Sequence, residues 1–264
     1  MRIVGELINA SRKAIKAAIE AEDADAIARV AVEQAAAGAD YIDVNAGLFG
    51  DREPDYLKWL VRTVQAAVDR PCCIDSPSPA AIEAALSVHR GVAMINSISL
   101  EPERLDALLP VIKGRELEVV ALCMSGEGMP RTADDRVAIA GRLISTLEDN
   151  GVLRERIHVD PLVQPVATDA ACGPALLSAV ERIMTGFPGV HTLCGLSNVS
   201  YGLPERVLLN RTFLVMAVSR GLDGAILNPT DRATMAAIAA AETLAGKDDF
   251  CARYLDAYRS GALG

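Results

Sequence analysis

The sequence predicts an α/β protein of the (β/α)8, or TIM-barrel, class, and three observations lead there. Apolar runs of strand length alternate with stretches of helical period from one end of the chain to the other. There are eight such runs. Several lack the in–out alternation of a half-exposed strand, as expected for a parallel sheet covered on both faces. A length of 264 residues also matches one barrel, so residues 1–264 read as a single domain.

The order of elements follows from these patterns. Strands are expected over residues 2–8, 39–46, 71–76, 93–98, 118–124, 157–162, 192–197 and 224–228. Helical periodicity covers 24–37, 56–68, 79–87, 131–150, 173–185, 204–219 and 232–245. The tail from residue 248 reads as a short last helix against the barrel. An open doubly wound sheet is the rival architecture. It needs no eighth strand, and no G-x-G-x-x-G follows the first strand here. Residues 125–132 contain Gly126, Gly128 and Pro130 and read as a mobile loop on the active face.

Composition narrows the function. Aromatic residues make up only 4%, so the core of a chain that is 51% hydrophobic must be built from Ala, Val, Leu and Ile. The net charge of -9 argues against a nucleic-acid protein, which needs a basic surface to neutralise phosphates. No apolar run is long enough to span a bilayer. Met1 leads straight into the first expected strand, so no signal peptide is expected. Of the six cysteines, Cys72, Cys73, Cys123 and Cys194 fall in expected strands, where Cys acts as a small apolar residue. None forms a C-x-x-C pair. A reducing cytoplasm is the expected location.

The informative feature is what ends the strands. The second closes on Asp43-Val44-Asn45, the third on Asp75-Ser76 and the fourth on Asn96-Ser97. The sixth closes on Asp160-Pro161 and the seventh on Ser197-Asn198, while the first carries Glu6 and leads to Asn9. All would meet at one mouth of the barrel, where barrel enzymes keep their sites. Buried acids are costly unless paired. Amides interleave with carboxylates, and no His sits among them. A flat neutral heterocycle with N–H donors and ring acceptors suits that set, and a pterin is one. Taken singly, each residue has a local explanation: Asp75 as a cap for the helix that opens at Pro79, Asp43 and Asn45 as turn residues. Together they argue for a site.

These segments, with Gly5-Glu6-Leu7-Ile8-Asn9, Gly195-Leu196-Ser197-Asn198-Val199-Ser200 and Asn210-Arg211-Thr212-Phe213-Leu214, resemble the pterin-binding methyltransferases. The resemblance runs in order over nearly the whole chain. It is greatest to the methyltetrahydrofolate:corrinoid protein methyltransferases and more distant to the folate domain of cobalamin-dependent methionine synthase. Leu7 departs from the family's opening motif, which has Arg there. The resemblance implies a barrel, a homodimer, and transfer of the N5-methyl of methyltetrahydrofolate to a Co(I) corrinoid on a separate protein. By position it implies that Asp75, Asn96 and Asp160 hold the pterin, with Glu6, Asn9 and Ser197 beside it. Asn198 would hydrogen-bond N5, and Asp43 would assist as a nearby carboxylate acting through water. Arg206 becomes a candidate contact for the folate tail or the partner, whereas Arg211 reads as a solvated helix charge. The corrinoid must come from the partner, because His89, His158 and His191 lie in no Asp-x-His-x-x-Gly motif.

Three alternatives compete. A dihydropteroate synthase-like enzyme would need cationic groups after the seventh strand, where Asn198-Val199-Ser200-Tyr201 stands instead. A zinc-dependent methyltransferase would need ligands such as His191 and Cys194, which alternation puts on opposite faces, so no bound metal is expected. A non-catalytic folate-binding subunit is the third, and the presence of Asn198 argues against it.

Overall fold

A computed structural model describes residues 1–263. Its strands are β1 (Arg2–Asn9), β2 (Tyr41–Asn45), β3 (Cys72–Asp75), β4 (Met94–Leu100), β5 (Glu118–Ser125), β6 (Ile157–Asp160), β7 (His191–Gly195) and β8 (Gly224–Leu227). They pair in chain order, all parallel, and β8 closes on β1. The expected (β/α)8 barrel is the fold observed. Around it lie α1 (Lys13–Glu20), α2 (Ala24–Ala36), α3 (Glu53–Ala67), α4 (Pro79–Leu86), α5 (Pro102–Ile112), α6 (Ala133–Asp149), α7 (Cys172–Gly186), α8 (Arg206–Ser219), α9 (Arg232–Leu244) and α10 (Ala252–Arg259).

Two helices, α1 and α5, add to the expected set. The first is short and buries only Ile15 and Ile19. The second carries Pro110 in its interior, a residue that reads as a helix breaker. Two strands stop sooner than expected. β6 ends at Asp160, and Leu162 turns into the left-handed region at φ 63°. β7 ends at Gly195, and Leu196–Ser200 wind into a 3₁₀ turn. The spacing of buried Leu196 and Val199 is that of one 3₁₀ turn.

The period of two along each strand sorts side chains between helices and barrel interior. Ile42, Val44, Ile74, Ile95, Val119 and Val159 belong to the large core packed with the helices. Val4, Tyr41, Cys73, Met94, Val120 and Leu193 form a small separate cluster inside the barrel, with Ile226 packed on it. At the N-terminal ends of the strands, charged groups close the floor. Arg2 Nη1 donates to Glu118 Oε2 at 2.9 Å, and Glu118 lies 2.5 Å from His158 Nε2. His191 Nδ1 lies 2.6 Å from Asp223 Oδ2.

Candidate functional site

Two residues beyond the interior apolar layer, the same alternation places polar groups at the opposite end. Val4 is followed by Glu6, Tyr41 by Asp43, Cys73 by Asp75 and Met94 by Asn96. In β6, Asp160 stands two beyond His158 of the floor. The rim is therefore a polar layer stacked on an apolar plug. Asp75 and Asn96 are direct partners in the β3–β4 register, and Asp43 faces Cys73 across β2–β3.

Burial makes these acids reluctant to ionise. Asp43 is 2% exposed, and its Oδ1 has no hydrogen-bond partner. Burial, with the neighbouring Asp75 charge, pushes its carboxyl well above the usual range. Burial also raises Asp75, against a bond from Asn45 and the charge of Arg104. Asp160 is pushed up to about 7 by burial, opposed by the Leu162 N–H and the Arg136 charge. Glu6 is raised by burial, although Arg12 lies 3.3 Å away. A layer of carboxyls with little compensation is suited to a ligand that brings N–H donors.

Ser78, not Asp75, caps α4 by accepting from the Ala81 N–H. Asn45 does organise its turn, its Oδ1 accepting from Gly47 N–H at 3.0 Å. It also donates Nδ2 to Asp75 Oδ2 at 2.9 Å. That supporting role was not singled out in the sequence, although Asp43 and Asn45 share a strand face by simple alternation. Asn9 Oδ1 accepts from the Ser11 N–H at 3.0 Å, a local turn. Asp160 Oδ1 accepts from Leu162 N–H at 2.8 Å, which leaves Oδ2 for a further partner.

Ser197 and Asn198 are exposed on the 3₁₀ turn after β7, anchored beneath by Leu196 and Val199. Arg206 donates Nη2 to the Ser197 carbonyl at 2.7 Å and Nε to Ser200 Oγ at 3.0 Å. Two of its nitrogens thus fasten this turn. Arg211 is not a free helix charge: it pairs with Asp231, Nη2 to Oδ2, at 3.2 Å. The 125–132 loop has structure of its own, with a bridge between Ser125 and Gly128 and a bond from Gln164 Nε2 to the Pro130 carbonyl at 3.1 Å. Cys194 is fully buried, whereas His191 is half-buried against Asp223. Among the described residues, no three His, Cys, Asp or Glu side chains group as a metal site. No helix of the described chain is long and apolar enough to cross a membrane.

A cavity of about 210 Å³ opens beside the rim, between β8 and α8. It includes Glu6 and Ser197, together with Asn210, Arg211, Asn228 and Asp231. Asp75, Asn96 and Asp160 lie outside its lining. Arg104 and Arg136, which hold strand ends at the rim, were also missed, because nothing in their sequence neighbourhood points to their partners.

Comparison with known proteins bears on this geometry. Residues 5–228 match the family model described as pterin binding enzyme. The chain is 36% identical over 266 aligned residues to a methylcorrinoid:tetrahydrofolate methyltransferase of Eubacterium limosum, covering 100% of this chain and 98% of that one. It is 32% identical to methionine synthase of Mycobacterium tuberculosis over 86% of its own length, but spans only 20% of that protein. Among solved structures, it matches a dihydropteroate synthase from Xanthomonas albilineans in complex with 7,8-dihydropteroate. The TM-score is 0.70 at 21% identity, covering 92% of this chain and 93% of that one. A dihydropteroate synthase of Coxiella burnetii in complex with pteroic acid gives 0.71 at 17% identity, covering 93% of each. The last two are likenesses of fold. With the family match spanning most of the chain, this protein belongs to the pterin-binding enzymes.

Proposed function

We propose that the chain is a methyltransferase that moves the N5-methyl group of methyltetrahydrofolate to the Co(I) corrinoid of a separate protein, or in reverse from it. The observation that carries this reading is the rim layer of Asp75, Asn96 and Asp160, with Asn198 exposed at its edge. The full-length relative with that activity in its name supports it. The pterin's N–H donors would meet Asp75 and Asp160, and Asn96 would both donate and accept. Glu6, Asn9 and Ser197 would border the ring.

The chemical difficulty is the leaving group. A neutral tertiary amine does not release a methyl, because the departing nitrogen would carry negative charge. N5 must gain a proton, or a hydrogen bond that strengthens as the C–N bond breaks. The Asn198 amide would donate that bond, and its oxygen would accept from N5–H. Asp43, reluctant to ionise, would sit nearby as a carboxyl acting through water. The partner's corrinoid supplies the nucleophilic cobalt. None of this chain's histidines is offered to it. His89 Nε2 accepts from the Cys72 N–H at the start of β3, and His158 and His191 lie at the floor.

A second copy of the chain is the other partner. Leu208, Val215 and Met216 form an exposed apolar stripe on α8. The six cysteines are all unpaired, which suits a reducing cytoplasm.

The direct test of activity is to mix the protein with methyltetrahydrofolate and free cob(I)alamin and follow the spectrum. Growth of methylcobalamin, dependent on the protein, is the expected result. Tight methyltetrahydrofolate binding without methyl transfer to any cob(I)alamin or corrinoid protein would instead favour a non-catalytic folate-binding subunit.

A further inference from the structure

Three arginines reach from the first turns of helices to the backbone of the rim, and each meets main chain beside a different pterin residue. Arg104 of α5 donates Nε to the Ser97 carbonyl at 2.9 Å and Nη2 to the Ser76 carbonyl at 2.8 Å. Its Nη1 is bonded to the Pro77 carbonyl. Ser76 follows Asp75, and Ser97 follows Asn96. Arg136 of α6 is fully buried. It donates Nε to the Pro161 carbonyl at 2.8 Å, Nη2 to Leu162 at 3.4 Å and Nη1 to Thr132 at 3.0 Å. Pro161 follows Asp160. Arg206 of α8 holds the Ser197 carbonyl and the Ser200 hydroxyl, on either side of Asn198. The Ser200 hydroxyl in turn donates to Asn210 Oδ1 at 2.7 Å.

We infer that Arg104, Arg136 and Arg206 are positioning residues that set the rim for the proposed methyl transfer: the first two fix the groups that bind the pterin, and the third fixes Asn198. The inference rests on the pterin reading of the rim. Carbonyls past a strand end, or where the ladder is irregular as it is between Asn96 and Ile98, need donors. A guanidinium is a planar fork with five N–H donors and ties several such carbonyls into one rigid arrangement, which the point charge of an ammonium does not. Arg104 thereby joins the end of β3 to the irregular point of β4 just after Asn96, beside two facing residues of the proposed pterin site. A site of this kind works only when its groups are held within about half an ångström of the productive geometry. The cations also act through space: Arg104 favours ionised Asp75, and Arg136 favours ionised Asp160.

The test uses the full chain and measures methyltetrahydrofolate affinity by calorimetry and methyl transfer to cob(I)alamin at saturation. Arg104→Lys is expected to weaken binding at least about tenfold, the scale of a lost charge-assisted bond, with a smaller change in saturated rate. Arg206→Lys is expected to do the reverse, lowering the saturated rate about tenfold while affinity stays within about twofold. Arg136→Gln should move upward the pH at which pterin affinity is half lost. Because Arg136 is buried, the two exposed or half-buried lysine variants carry the test if Arg136→Gln does not fold. Wild-type constants in both lysine variants would overturn the clamps. So would equal losses in affinity and rate accompanied by a lowered Tm, the mark of a merely structural role. A wild-type chain that does not bind methyltetrahydrofolate would overturn the pterin reading and the clamps with it.

Discussion

Asn45 and Asp75 meet across adjacent strands, the amide of the one donating to the carboxylate of the other at 2.9 Å. The bond offsets part of the burial that disfavours ionised Asp75. Asn45→Ala should therefore raise the Asp75 pKa and weaken methyltetrahydrofolate binding. A hydrogen bond to a charged group contributes about 1.5–3 kcal/mol, so a loss of at least about tenfold is expected. Calorimetric titration at neutral pH checks it. Unchanged affinity would leave Asn45 with only its role in the Gly47 turn.

Asp160 links pH to both stability and binding. Its folded-state pKa, about 7, lies above the value of about 3.9 in an unfolded chain. Between those values the folded protein holds the extra proton, so stability falls as pH rises through that window and levels off above it. Asp160→Asn should raise the Tm of the ligand-free protein near pH 8 and leave it little changed near pH 4. Pterin N–H groups prefer the ionised carboxylate. Binding near pH 6 should then release a proton, visible as a buffer-dependent heat in calorimetry. Proton uptake, or none, would show that the ring does not pair with Asp160.

Asn198→Ala separates binding from chemistry. A donor that acts only as the C–N bond breaks contributes to rate rather than affinity. Methyl transfer at saturation should fall about a hundredfold, the scale for losing one transition-state donor, with pterin affinity nearly unchanged. Parallel losses in both would make Asn198 an ordinary ligand contact.

The α8 stripe predicts the assembly state. Leu208 and Met216 are 64% and 47% exposed and, with Val215, lie on one face of the helix. Sedimentation of the wild-type chain should give a dimer, and the Leu208→Glu, Met216→Glu double variant a monomer with methyltetrahydrofolate affinity retained. A wild-type monomer at micromolar concentration would remove the second copy from the account.

Much of this architecture was legible in the sequence for a physical reason. A barrel strand alternates strictly, so an apolar run ending on Asp75 or Asp160 fixes both the face and the end of the barrel that the acid occupies. Asn198 was found by its Gly-Leu-Ser-Asn-Val-Ser setting, but its placement on a 3₁₀ turn rather than a strand end was not. The strand pattern of 192–197 continues through Leu196, whereas in the fold Leu196 and Val199 are both buried in one core cluster from a 3₁₀ turn. The clamps were illegible because Arg104 and Arg136 reach carbonyls 28 and 25 residues away along the chain. A main-chain acceptor carries no residue identity, so no motif marks such a contact. Helix α5, outside the expected set, carries Pro110 in its interior and buries Leu108, Val111 and Ile112.

A crystal structure of the protein with bound methyltetrahydrofolate tests the central claim most directly. The expected electron density is a pterin lying across the rim. Its N–H donors should be within hydrogen-bond distance of Asp75 and Asp160, and its N5 beside the Asn198 amide. A pterin seated instead in the neighbouring cavity lined by Asn210 and Asn228, with the three rim residues untouched, would contradict it.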